Sequence, residues 1–399
     1  MEREIIVNTN SLLTALAGIG QYTYQVSRAL KSVDTVNKYT YYYGFFSNDL
    51  FCRDEEKDSL RKSVKQFGLN LYKNVKTAVK QIPVVGSMAR EVRTGVSKTL
   101  QKIQQRSFDL YFEPNFIPLE EIQTKKTVTM IFDLSVPLHP EWHPKERIEI
   151  FDRHFQKGLK RTDLFLTATQ FIKKQMVDHL HIPQEKIFVT PISCNKDIFR
   201  PQDTSAQNLP KLKSPLPDRY FLFVGSVEPR KNLMALLKAY AMLPPPVQSQ
   251  AGLVFCGPSG WMNSEVYKFI DSANLKNRVT FLKYVTDDLL AMLYARAEAL
   301  VYPSFYEGFG LPPLEAMCCA CPAIVSDIPP HRELCAESAL YVHPHNPEEI
   351  ARAMQSLLEN PDQRRKLIDD GLKRSAQFDW NKTARETLKV FEAAFNSGG

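Results

Sequence analysis

The residues that could do chemistry are densest in Glu307-Gly308-Phe309-Gly310-Leu311-Pro312-Pro313-Leu314-Glu315, which follows the strand-like run Ala299–Tyr302. Gly308 and Gly310 let the backbone approach a ligand closely. Pro312 and Pro313 suit the first turn of a helix, where a missing N–H costs little. The free N–H groups of that turn make a site for a diphosphate. Two carboxylates are awkward beside a phosphate, so Glu307 and Glu315 are expected to accept hydrogen bonds from hydroxyl groups, which a sugar and a ribose would supply. A second cluster, Arg230-Lys231, stands at the start of another helix. Cations there oppose the helix dipole, so the pair calls for an anionic partner. The plainer alternatives are solvated surface charges in both places.

The elements that must position these residues alternate strand and helix. In the first half, strands are expected at 5–8, 39–46, 109–112, 128–132, 164–167 and 186–190, with helices near 21–31, 144–161 and 170–180. Residues 54–106 read as a basic helical segment broken at Pro83 and Gly86. Residues 200–218 carry four prolines and no periodicity, as a linker would. The pattern then restarts, with strands at 220–224, 253–256, 279–282, 299–302 and 323–326. Such alternation indicates parallel sheets with helices on both faces. The expected fold class is therefore α/β, two Rossmann-like doubly wound domains facing a cleft, with ligands at the carboxyl ends of the strands. The boundaries are 1–200 for the acceptor-side domain, 201–380 for the donor domain, and 381–399 for a last helix crossing back to the first domain.

Composition sets outer limits. The chain has 399 residues, 44% hydrophobic and 24% charged, enough to bury two cores. No long uncharged apolar run suits a membrane span. Met1-Glu2-Arg3-Glu4 leads straight into a strand rather than a signal peptide, and the seven cysteines read as reduced thiols, so a cytoplasmic protein is expected. The net charge of +7 is local. Residues 57–106 hold twelve Lys or Arg against Asp58 and Glu91, a net +10 that leaves the rest about −3.

Glu307 and Glu315, with seven residues between them, resemble the E-x7-E signature of the family-4 retaining glycosyltransferases of the GT-B fold. The likeness extends to VGSVEPRKNL (224–233), EAMCCACPAIVSD (315–327), the glycine loop AGIGQYT (17–23) and DLSVPLHPEWHPKER (133–147), so it runs over most of the chain outside 52–106. It resembles most the bacterial mannosyltransferase-like branch. The resemblance implies that Glu315 holds the donor ribose and Glu307 the hydroxyls of the transferred sugar. The N–H groups of Phe309, Gly310 and Leu311 would take the distal phosphate, and Arg230 and Lys231 would neutralise the leaving diphosphate. Gly18 and Gly20 would let the first domain close on the donor, with Gly225 in the strand–loop that carries the cation pair. The implied function is transfer of a hexose, mannose first, from a nucleotide sugar to a glycan or lipid-linked glycan in polysaccharide or lipopolysaccharide assembly. GDP-mannose is the first donor, with a UDP-hexose the alternative. The chain departs from the pattern at Phe132-Asp133, where many family members carry His-Asp. Asp133 or Glu113 would then serve in its place.

No cofactor is expected, and no metal, because no Asp-x-Asp occurs and the two cations would replace it. His139-Pro140-Glu141-Trp142-His143 lacks the order of a zinc helix. Cys318, Cys319 and Cys321 have no second cluster to complete a site. Asp287-Asp288 reads as a helix cap. From Leu71 to Ile82, apolar residues share one helical face and Lys73, Lys76 and Lys80 the other. That fits either docking on an anionic membrane at its inner face, through residues 57–106, or a helix packed on the first domain. Nucleic acid is not an expected partner. The rival functions are a non-catalytic relative binding a nucleotide sugar or glycan as a scaffold, which Phe132 favours, and a nicotinamide dehydrogenase, which lacks its G-x-G-x-x-G.

Overall fold

The computed structural model describes residues 2–13, 18–51, 106–203 and 215–396. The basic segment 57–105 and its amphipathic stretch at 71–82 therefore lie outside the described residues.

The first sheet comprises β1 (Glu4–Asn8), β2 (Lys38–Tyr42), β3 (Phe46–Ser47), β4 (Phe108–Glu113), β5 (Thr124–Ile131), β6 (Leu164–Thr167) and β7 (Ile187–Val189), in the order β3-β2-β1-β4-β5-β6-β7. All neighbours are parallel except β2 and β3. The second sheet comprises β8 (Tyr220–Val224), β9 (Gly252–Cys256), β10 (Val279–Phe281), β11 (Ala299–Tyr302), β12 (Ala323–Ser326) and β13 (Leu340–Val342), all parallel, in the order β10-β9-β8-β11-β12-β13. Both are doubly wound, with the strand order reversing beside β1 and β8, and crevices form at such reversals. The central strands are continuous apolar runs because helices cover both faces; every residue of Tyr220–Val224 is buried.

The expected strand over 39–46 ends early. Gly44, at φ +85°, turns the chain back so that Tyr42 pairs with Phe46 in antiparallel sense.

Among the described residues the helices of six residues or more are α1 (Ile19–Val33), α2 (Lys145–Arg161), α3 (Gln170–Leu180), α4 (Leu233–Met242), α5 (Pro245–Gln250), α6 (Ser264–Ser272), α7 (Asp287–Arg296), α8 (Leu311–Cys318), α9 (Pro329–Cys335), α10 (Pro347–Glu359), α11 (Pro361–Ser375) and α12 (Trp380–Asn396). The helices α5 and α9 were not expected. Both begin on prolines, which read as breakers but occupy the first turn, where their missing N–H is not needed. Helix α12 crosses to the first domain, packing on α1 and β4–β6, with Phe391 edge-on to Phe112 at 5.3 Å. Asp287 and Asp288 lie in the first turn of α7, but its cap is Thr286, whose hydroxyl accepts from Leu289 N at 3.4 Å. Among the described residues no helix is long and apolar enough to cross a membrane.

Candidate active site

The loops after β5 and β6 meet the loop after β11, so the carboxyl ends of both sheets share one cleft. Leu134 N donates to Tyr306 Oη at 3.0 Å, and Thr169 Oγ1 donates to Gly308 O at 3.0 Å. Across the same seam, Glu333 of α9 accepts from the N–H groups of Gln170 and Phe171, at 2.7 Å each. It thereby caps the start of α3 from the other domain. The glycine in Glu307-Gly308 serves this seam. A Cβ on Gly308 would fall 1.9 Å from Phe132 O, so no side chain fits there. Its close neighbour is the other domain's backbone, where the sequence reading expected a ligand.

Arg230 and Lys231 occupy a single 3-10 turn after β8. Asn232 closes that turn at φ +56° and donates to Pro303 O at 2.9 Å and Pro344 O at 2.7 Å, which fixes the turn against the β11 loop. Arg230 Nη1 donates to Glu307 Oε2 at 2.8 Å and Nη2 to Glu228 Oε1 at 2.9 Å. Lys231 Nζ donates to Glu307 Oε1 at 2.7 Å and to Tyr302 Oη. Glu228, Lys231 and Glu307 are all buried. Burial alone would raise the pKa of Glu307, but Arg230 and Lys231 hold it well below the usual carboxylate range. Burial, then the adjacent Arg230, lower that of Lys231. The guanidinium of Arg230 resists the same burial because Glu307, Asp133 and Glu228 surround it. Two cations thus balance two carboxylates. With both oxygens engaged, Glu307 stands here as a counter-ion, a role the sequence reading did not give it. Glu228, Asn232 and Tyr302 were not anticipated as parts of this cluster.

The helix mouth lies beside it. Gly310 precedes α8 at φ +104°, and a Cβ there would press on His331 Cδ2 at 3.3 Å. Phe309 is buried and packs edge-on against Phe378 at 5.9 Å. Leu311 opens the helix. Pro312 and Pro313 have no N–H, so the donors at the mouth come from Phe309, Gly310 and Leu311. Glu315 lies one turn inside, partly exposed, accepting from Tyr294 Oη at 2.9 Å. Burial pushes its pKa up to about 8 against that hydrogen bond. Gly225 sits at φ +146° beside Gly257, whose added Cβ would meet Gly225 O at 2.3 Å.

The first domain contributes less than expected. Gly18, at φ +45°, precedes α1, and Gly20 lies buried within its first turn; residues 14–17 of the loop are outside the described residues. The same turn reaches the second domain through Gln21 Nε2, which donates to Asp287 Oδ2 at 2.7 Å. Asp133 directs Oδ1 at Ser135 N, 2.8 Å away, and its charge reaches Arg230. Phe132 presents only apolar surface, edge-on to Tyr22 at 4.9 Å.

Glu113 does not face the cleft. It is sealed at 0% exposure, accepting from Asn8 Nδ2 at 2.7 Å, Asn115 N at 2.9 Å and Tyr111 Oη. Its role is to tie β4 to β1. Burial raises its pKa from the ordinary 4.5 to about 8. A carboxyl with a raised folded-state pKa binds more protons folded than unfolded, so it costs stability progressively as pH rises from 4.5 to about 8. Glu113→Gln is therefore expected to melt higher than the parent at pH 8 and close to it at pH 5; equal melting temperatures at pH 8 would show that burial does not hold the proton.

Among the described residues no group of three or more His, Cys, Asp or Glu could hold a metal ion. Cys318, Cys319 and Cys321 are buried, with Cys318 Sγ 3.2 Å from Cys194 Sγ.

Residues 205–374 match the family model described as glycosyl transferases group 1. The chain is similar to O-antigen chain mannosyltransferase B of Escherichia coli, 27% identical over 98% of this chain and 99% of that protein. It is similar also to O-antigen chain mannosyltransferase RfbU of Salmonella typhimurium, 32% identical over 60% of this chain and 65% of that one. The crystal structure of WaaG, a glycosyltransferase involved in lipopolysaccharide biosynthesis, superposes with a TM-score of 0.67 at 13% identity, covering 99% of this chain and all of that one. The two doubly wound sheets facing one cleft have the GT-B fold, and residues 205–374 carry the glycosyl transferases group 1 likeness with which this pattern of relatives agrees.

Proposed function

We propose that the chain moves mannose from GDP-mannose to a glycan or lipid-linked glycan in cell-surface polysaccharide assembly, with retention of configuration and without a metal. The observation that carries the reading is the Arg230–Lys231 pair, Lys231 buried and Arg230 mostly so, beside the N-terminus of α8. Breaking a glycosyl–phosphate bond builds negative charge on the diphosphate, and preorganised cations and N–H groups stabilise it where it forms. Mannose is supported by the relatives' names. Retention is what the resemblance to the family-4 enzymes implies; with no evident protein nucleophile for a double displacement, the acceptor attacks the face the diphosphate leaves, and the leaving phosphate takes its proton. The cluster is electrically neutral as it stands, so an arriving diphosphate takes over the two cations and frees Glu307 for the hydroxyls of the sugar. The charge of residues 57–106 suits docking at the inner face of the plasma membrane, where lipid-linked acceptors sit.

Thermal melts with GDP, UDP, ADP and their sugar conjugates, in chelator, test the donor. A ligand of the folded state must raise the melting temperature, and the expected shift is with GDP and GDP-mannose. In the same assay Glu315→Ala should weaken nucleotide-sugar binding by up to about tenfold, the loss of a hydrogen bond to the ribose. A shift with UDP alone would replace the donor, and no shift without added metal would remove the metal-free mechanism.

A further inference from the structure

His143 follows the turn Pro140–Trp142 and is 6% exposed. Its backbone is fixed on both sides of the cleft. The His143 N–H donates to Pro140 O at 3.0 Å, and the neighbouring Trp142 O accepts from Trp261 Nε1 of the second domain at 2.7 Å. The ring is different: neither Nδ1 nor Nε2 has a hydrogen-bond partner. The Ser135 backbone lies beside it without meeting hydrogen-bond geometry. The indole of Trp261 is 6.3 Å from the ring, and the charged groups that reach it are Asp133 and Arg147 from the first domain and Arg230 from the second.

Buried polar groups are almost always paired, and an unpaired one lowers stability. A side chain held this way by a rigid backbone is organised for a partner that arrives later. Burial, and then Arg147, keep the imidazole neutral, with its pKa lowered to about 4. A neutral imidazole offers one donor and one acceptor. A hydroxyl group needs both, whereas a phosphate is better served by the cations at Arg230 and Lys231.

We propose that His143 is a substrate-binding residue whose imidazole hydrogen-bonds a sugar hydroxyl at the reacting end of the cleft, on the donor hexose or on the acceptor glycan. This rests on the glycosyltransferase reading above.

The test compares His143→Leu and His143→Gln with the parent in three measurements: melting temperature without ligand, affinity for GDP and for GDP-mannose, and KM for a mannose-terminated oligosaccharide. His143→Leu should melt at the parent's temperature or higher, since it removes an unpaired buried group, and GDP affinity should hold. Affinity for GDP-mannose falling about tenfold would place the hydroxyl on the donor. A comparable rise in KM for the oligosaccharide, with GDP-mannose binding intact, would place it on the acceptor. His143→Gln, which keeps a donor and an acceptor, should recover part of either loss. A lower melting temperature for His143→Leu, with the GDP to GDP-mannose affinity ratio and the KM both unchanged, would make His143 a packing residue and overturn the proposal. If the parent binds no GDP-mannose, the donor assignment fails separately, and the melting temperatures still decide: a destabilised His143→Leu overturns the inference.

Discussion

Lys231→Ala is expected to lower kcat by about 10²–10³-fold, the range seen when one preorganised hydrogen-bond donor is removed from a developing anion, with a smaller change in donor affinity. The reason lies in the ion cluster. Lys231 is a buried ammonium beside Arg230, a position that disfavours its charge. Fold stability gives little ground for placing it there: a buried cation next to another cation is disfavoured, and Glu307, Glu228 and Tyr302 offset that cost. Removing it leaves Arg230 facing both Glu228 and Glu307, so the cluster becomes net negative where a diphosphate must gather charge. In the ground state the donor still has Arg230 and the helix N–H groups, and loss confined to the transition state appears in kcat more than in KM. Lys231→Met separates charge from packing, because it keeps an unbranched stem. It should lose nearly as much rate as the alanine variant. Single-turnover transfer measured without metal gives the answer, and an unchanged rate in either variant would remove the leaving-group role.

How much of this was legible in the sequence depended on how local each signal was. Tyr220–Val224 and Ala299–Tyr302 read as buried parallel strands because a strand covered on both faces is an unbroken apolar run. The start of α8 was legible because Gly310, Pro312 and Pro313 act on their own backbone. The partners of the functional groups were not. Arg230 and Glu307 are separated by 77 residues, and only the fold brings the turn after β8 against the loop after β11. Gly308 looked like a ligand contact because a glycine reports that something comes close without saying what; here it is Phe132 O. Glu113 misled for a related reason. Its place at the end of β4 fits a cleft residue, but Asn8 on the adjacent strand pulls it inward, and that pairing exists only once β1 and β4 lie side by side. His143 lay within the stretch 133–147 that carries the family likeness, but its lack of a hydrogen-bond partner is a property of the folded environment.

Glu307→Ala should be the most destabilising single change in the site, by about 3–5 kcal/mol, because it takes the shared counter-ion from buried Lys231 and from Arg230, which keeps only Glu228 as an ion-pair partner among the described residues. Glu307→Gln separates charge from shape. It keeps an acceptor for one cation but leaves the cluster with a net positive charge. Two results are expected to diverge in that variant: GDP should bind more tightly than to the parent, since the cations no longer have to be released by Glu307, while transfer should fall, because the carboxylate that would accept the sugar hydroxyls is gone. A purely structural carboxylate would not produce that divergence. The stability difference also has a signed pH dependence. Arg230 and Lys231 overcome the effect of burial and depress the folded-state pKa of Glu307 below its ordinary 4.5. The ionised form therefore contributes stability that is fully present above pH 4.5 and is lost as pH falls toward the folded value. Melts of the parent and Glu307→Gln should accordingly differ most above pH 4.5 and converge on acidification. A gap that stays constant with pH would mean that Glu307 acts through packing, and the charge exchange between carboxylate and diphosphate would lose its basis.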